Sequence, residues 1–141
     1  MDLGLVIVLS VNGQDGSYAA ECFFENDYNV LGIGRQNNSK WISESVRFRY
    51  YKLDLRKFSA LKDILEDTKP SIIFNTVAVH GSASFSYESV WEELHAVNIY
   101  LTQGIIEYLR NSNIQCSYSF LSSSKVFDLT STLPVNEESI M

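Results

Sequence analysis

The sequence predicts a doubly wound α/β fold, one domain over residues 1–141 with five parallel strands in the order 3-2-1-4-5. Three observations predict it. Short, continuous apolar runs of strand length alternate with segments whose apolar residues recur every three or four positions. The first apolar run ends in a polar turn punctuated by glycines. Finally, 141 residues with 45% hydrophobic and 20% charged side chains are enough for one core and do not describe a disordered chain.

In chain order, Leu3–Leu9 is the opening buried strand and Ser10–Gly16 the turn after it. Ser17–Asn26 has helical spacing, with Tyr18, Cys22 and Phe23 on one face. Asn29–Gly34 is a second strand and Asn37–Ser45 a polar loop. Val46–Leu53 alternates basic and aromatic residues, as a half-exposed third strand does. Phe58–Asp67 is a helix with Phe58, Leu61, Ile64 and Leu65 inward, stopped by Pro70. Ser71–Phe74 is a buried strand leading into Asn75, Thr76, Val77 and Ala78. Ser89–Asn111 is the longest helix, its stripe formed by Val90, Leu94, Val97, Leu101, Ile105 and Leu109. Ser117–Leu121 is the fifth strand, and the rest is irregular. No solenoid repeat or dividing linker interrupts the chain.

Seventeen acidic against eleven basic residues give a formal charge of −6, which argues against nucleic acid as a partner. Cys22 and Cys116 share no metal or redox spacing and read as small buried hydrophobes. The N-terminus is too short and too acidic for a signal peptide or a membrane span, so the sequon at Asn37 reads as chance and the expected location is cytoplasmic. His80 and His95 have no partners at ligand spacing, so no metal site is expected. Glu92 and Glu93 read as a solvated helix face, and Trp41, Phe85, Tyr87 and Trp91 as packing aromatics.

The sharpest signal is Ser10-Val11-Asn12-Gly13-Gln14-Asp15-Gly16, between the first strand and the first helix. A dinucleotide's pyrophosphate needs a tight turn, bare backbone and the free N–H groups of a helix start. Gly13 and Gly16 meet the last two demands, while Ser10 stands where the first glycine of the pattern is usual. The competing reading is a plain turn and helix cap. Asp54 ends the third strand, where its carboxylate can accept from adenine's amino group or cap the next helix. No acid lies between Asn29 and Ser43 to hold a ribose 2′-hydroxyl, whereas Arg35 lies 19 residues beyond Gly16 and suits a 2′-phosphate. The expected cofactor is therefore NADP, with NAD as the alternative.

The run from Gly13 through Tyr18, with Ala20-Glu21 and then Tyr28 through Arg35, resembles GDP-mannose 4,6-dehydratases of the NAD-dependent epimerase/dehydratase family. These are extended short-chain dehydrogenases/reductases that modify nucleotide sugars. The resemblance continues through Asp54-Leu55, Lys69 to Asn75, Val97-Asn98 and Leu121 to Phe127, with Pro134 and Glu137 as the loop after strand five. It implies a Rossmann-type fold. It also implies a nucleotide-sugar substrate, a GDP-sugar favoured, and a homodimer of the full-length protein through the long helix. By the same resemblance Ser10, Gly13, Gln14, Asp15 and Gly16 line the pyrophosphate and Arg35 lies near the adenosine ribose. Asp54 and Leu55 flank the adenine, Asn75 and Ala78 line the cofactor channel, and Asn98 is a structural or channel residue. Ser123 is the alcohol that hydrogen-bonds the sugar C4 oxygen.

The chain departs from the family at three places. Ser10 replaces a glycine, and Lys125 stands where dehydratases carry the glutamate that assists loss of water. No tyrosine has a lysine four residues later, although a Tyr-x-x-x-Lys pair is the superfamily's proton donor. The resemblance puts that pair beyond residue 141, so the chain is expected to be the N-terminal part of a longer enzyme. The rival expectation is a non-catalytic module that holds NAD(P) or a partner protein.

Overall fold

A computed structural model describes residues 3–80, 86–123, 136 and 138. Strands β1 (Leu5–Leu9), β2 (Asn29–Gly34), β3 (Phe48–Lys52), β4 (Ile72–Asn75) and β5 (Ser117–Phe120) form one sheet. All four pairings are parallel and the order is β3-β2-β1-β4-β5, as the alternation of segments predicted. Helix α1 (Gln14–Glu25) follows β1 and α2 (Phe58–Thr68) follows β3. After β4 come a 3-10 turn (Glu88–Val90), helix α3 (Trp91–Leu94), a π-helical segment (His95–Tyr100) and helix α4 (Leu101–Asn111).

Strand β1 shows why an all-apolar run was needed. Successive side chains point to opposite faces, so Ile7 and Leu9 join one core with Leu61, Leu65, Leu101 and Ile105. Val6 and Val8 join the other, with Ala20, Val30 and Phe48. Both faces are covered by helices, and none of these residues is exposed by more than 2%. Helix α2 stops as predicted: Lys69 takes the left-handed conformation (φ 45°), its N–H donates to Leu65, and Pro70 follows.

Several details differ from the sequence reading. Helix α1 begins three residues earlier, at Gln14. Its core-facing stripe is the buried Gly16 and Ala20 with the partly buried Phe23 and Phe24, one helical face at i, i+4, i+7 and i+8. Tyr18 and Cys22 fall off that stripe, so Tyr18 is exposed, as is the thiol of Cys22. Cys116 is half-buried, and that burial pushes its thiol pKa up. Strand β3 starts at Phe48, and Val46, expected within it, projects into solvent. The long helix is not uniformly α: the π segment widens it across Asn98.

Candidate functional site

In a doubly wound sheet the crevice lies beyond the carboxyl ends of the strands, where the order reverses. Here that point is between β1 and β4. The turn leaving β1 starts at Ser10, a non-glycine residue in the left-handed region (φ 64°). Its carbonyl accepts the Gly13 N–H at 2.9 Å. Gly13 is the residue before α1, and no side chain caps the helix there. The first-turn N–H groups, from Gln14 to Gly16, therefore lie at the positive end of the helix dipole. Gln14 and Asp15 are exposed and Gly16 is buried. A side chain on Gly16 would run into the Ser10 carbonyl and Thr76 Oγ1, so only glycine lets α1 approach the sheet this closely. Thr76 closes the same seam from β4, its hydroxyl donating to the Leu9 carbonyl at 2.8 Å.

At the β4 and β5 ends, Ala78, His80, Leu94, Asn98, Ser122 and Ser123 line a pocket of about 520 Å³. Three of the predicted site residues, Ala78, Asn98 and Ser123, thus meet in one place. Asn98 reaches across from the π segment: its amide donates to the Val79 carbonyl (2.9 Å) and accepts the Val79 N–H (2.8 Å). It pins the strand's exit to the helix. Asn75, predicted to line the channel, is fully buried beneath it. Its amide donates to the Tyr118 hydroxyl at 2.9 Å and accepts the Val77 N–H at 3.0 Å, which fixes the bend after β4. Lys125, Ser124, Phe85, Pro134 and Glu137 lie outside the described residues.

At the β2 and β3 ends, Arg35 Nη1 donates to Glu93 Oε1 of α3 at 2.8 Å. Glu93 is therefore not merely a solvated face residue. Asp54 does not cap α2, which begins after Lys57 without a side-chain cap. Its carboxylate instead accepts the Arg56 N–H at 3.1 Å and is gripped by the Arg56 guanidinium. The Arg56 hydrogen bonds hold the Asp54 pKa down at about 2. Leu55 turns into the core and is 5% exposed.

One organising residue gave no recognisable signal in the sequence. Asn12, inside the glycine turn, donates to Gln36 Oε1 (3.1 Å) and the Asn38 carbonyl (3.0 Å). It accepts the Lys40 N–H at 2.8 Å, and its own carbonyl accepts the Trp41 indole N–H at 3.1 Å. The loop after β2 is thereby stapled to the turn after β1. Trp41 is exposed, with the Lys40 ammonium 4.4 Å from its ring centre, so it serves this staple and not the core.

A family model described as the NAD dependent epimerase/dehydratase family matches residues 6–140. The chain belongs to that family. GDP-mannose 4,6-dehydratase of Vibrio cholerae is 27% identical over 97% of this chain and 40% of its own length. GDP-mannose 4,6 dehydratase of Drosophila melanogaster is 28% identical over 95% of this chain and 37% of its own. The chain thus spans about two fifths of the length of these curated relatives. Among solved structures, an epimerase from Methanothermobacter thermautotrophicus has TM-score 0.80 at 22% identity, covering 99% of this chain and 41% of that one. The Bordetella bronchiseptica enzyme WbmG, in complex with NAD and UDP, has TM-score 0.79 at 13% identity, covering 99% of this chain and 44% of that one. The predicted family and the predicted sheet order are both realised. Among the described residues no helix is long and apolar enough to cross a membrane.

Proposed function

We propose that this chain is the dinucleotide-binding part of a cytoplasmic nucleotide-sugar dehydratase or epimerase resembling GDP-mannose 4,6-dehydratase. The observation that carries the reading is the uncapped start of α1 beside Gly16, at the sheet's reversal point and on the same sheet edge as the Ser123 pocket. A pyrophosphate fits this start, because its charge meets the helix N–H groups and glycine backbone leaves it room. Gly13, Gln14, Asp15 and Gly16 would hold it, with Arg35 and Asp54 toward the adenosine. NADP is preferred over NAD because Arg35 follows β2 and no acid lies between Asn29 and Ser43. When bound, the nicotinamide supplies a reversible hydride acceptor for sugar C4. Ser123 orients the C4 hydroxyl, Ala78 shapes the channel wall, and Asn98 holds the Val79 backbone in place beside it.

The sugar-recognising part, the Tyr-x-x-x-Lys pair and the dimer contact belong in this reading to the longer protein. Ile99, Tyr100 and Ile106, all exposed on the long helix, suit a homodimer face there. A second reading, a non-catalytic binding module, is favoured by Lys125 at the position of the relatives' catalytic carboxylate. Titration with NADPH and NADH tests the cofactor reading: uptake of neither at millimolar concentration overturns it.

A further inference from the structure

We infer that Glu93 is a built-in competitor for Arg35, a carboxylate that an adenosine 2′-phosphate must displace, so that Glu93 limits this chain's preference for the phosphorylated cofactor. The inference rests on the dinucleotide reading above and assigns the specificity of that same site.

Arg35 directly follows Gly34, the last residue of β2, at the place where a dinucleotide's adenosine ribose is met. The strand end itself provides no acid, yet one reaches it from 58 positions away in the chain: Glu93 of α3, 2.8 Å from Arg35 Nη1. Arg56, the other guanidinium of this ion-pair set, offers the phosphate no substitute. Arg56 is committed to Asp54 through both its Nε and a terminal nitrogen. The four side chains Glu93, Arg35, Asp54 and Arg56 alternate in sign and sum to zero. A phosphate arriving at this set meets a neutralised guanidinium and an adjacent carboxylate of its own sign. With Glu93 turned away, the same set presents one net positive charge and a free guanidinium edge. Turning away is feasible, since the Arg35 side chain is 64% and that of Glu93 30% exposed. A ribose 2′-hydroxyl makes no such demand, because a carboxylate can stay and accept from it. Glu93 therefore acts on the two cofactors with opposite sign.

The test is Glu93→Gln in the full-length protein, with NADP and NAD affinities measured by calorimetry. An exposed ion pair of this kind corresponds to about a two- to fivefold change in affinity. NADP should tighten by about that factor while NAD does not tighten. If Glu93 were only a tie between β2 and α3, its loss would weaken both cofactors alike. Equal changes for both, or an unchanged NADP affinity, overturns the inference and leaves the dinucleotide reading standing. Binding of neither cofactor to the wild type overturns the dinucleotide reading itself.

Discussion

The main-chain carbonyl of Ser10 stands where a side chain on Gly16 would have to be, with Thr76 Oγ1 behind it. The turn after β1 and the start of α1 are thus one packing unit. The obstacle is backbone, which cannot rotate aside. Gly16→Ala should cost about 1–3 kcal/mol, the usual range for overpacking a tight interior. Urea unfolding measures this, and a midpoint unchanged from wild type would show that the helix can lift off without penalty.

Gly13 contrasts with it. Its φ of −75° suits any residue, and an added Cβ would lie 3.2 Å from the Ser10 carbonyl, close but without the overlap found at Gly16. Gly13→Val should leave stability within about 1 kcal/mol of wild type while filling the space the pyrophosphate needs. Loss of NADPH uptake with an intact urea transition is the expected pair of results. Retained uptake places the phosphate elsewhere.

Ser10 holds a conformation suited to glycine. A left-handed L-residue costs about 1–2 kcal/mol, offset in part by the greater unfolded-state entropy of glycine, about 0.5–1 kcal/mol. Ser10→Gly should therefore stabilise the protein by about 0.5–1 kcal/mol and tighten dinucleotide binding by relaxing the turn. A lower melting temperature for the variant would contradict the strain read from its φ of 64°.

What the sequence reveals here is what is local. The apolar runs reveal β1 and β4, the stripe Val97, Leu101, Ile105 reveals the long helix, and the glycines mark the turn. The apolar spacing marks α1 only from Ser17, because Asp15 and Gly16 are weak helix formers held in the helix by packing on the sheet, while the glycine turn itself points to the start near Gln14. Long-range polar pairings are hidden altogether. Nothing around Glu93 marks a partner 58 residues away, and nothing in Asn12 foretells a staple to residues 36–41. The burial of Asn75 follows from Tyr118, whose hydroxyl reaches it only once β4 and β5 are paired in register.

Asp54 gives the fold an acid-sensitive contact. Its folded-state pKa of about 2 is depressed from 3.8 by Arg56, so the ionised form stabilises the native state. That contribution is fully present above about pH 4 and is lost as pH falls through about 2. The side chain is 32% exposed, so solvent screening keeps the effect to about 1 kcal/mol or less. Asp54→Asn should flatten the acid limb of stability between pH 4 and pH 2 and leave pH 7 stability lower by about that amount. Parallel acid limbs for the two proteins would show that Arg56 does not stabilise the carboxylate.

The last expectation concerns turnover. Oxidation at sugar C4 requires an alcohol to hold the hydroxyl, a phenol tuned by lysine to take the proton, and, for dehydration, a carboxylate. In the proposed reading Ser123 would supply the alcohol, in a pocket lined by Ala78 and held by the Asn98–Val79 tie, and residues 1–141 hold no Tyr-x-x-x-Lys pair. General acid–base groups contribute about 10²–10⁴-fold each, so residues 1–141 alone should show no detectable turnover of any nucleotide sugar. In the full-length protein, Ser123→Ala should lower kcat by about 10- to 100-fold while leaving NADPH affinity unchanged, because in the proposed reading the hydroxyl would meet the sugar and not the dinucleotide. Lys125 cannot serve as the dehydrating carboxylate, so the expected reaction is epimerisation or 4-keto reduction. Incubation with GDP-mannose decides it: accumulation of a 4-keto-6-deoxy product would mean that a carboxylate other than one at position 125 assists the loss of water.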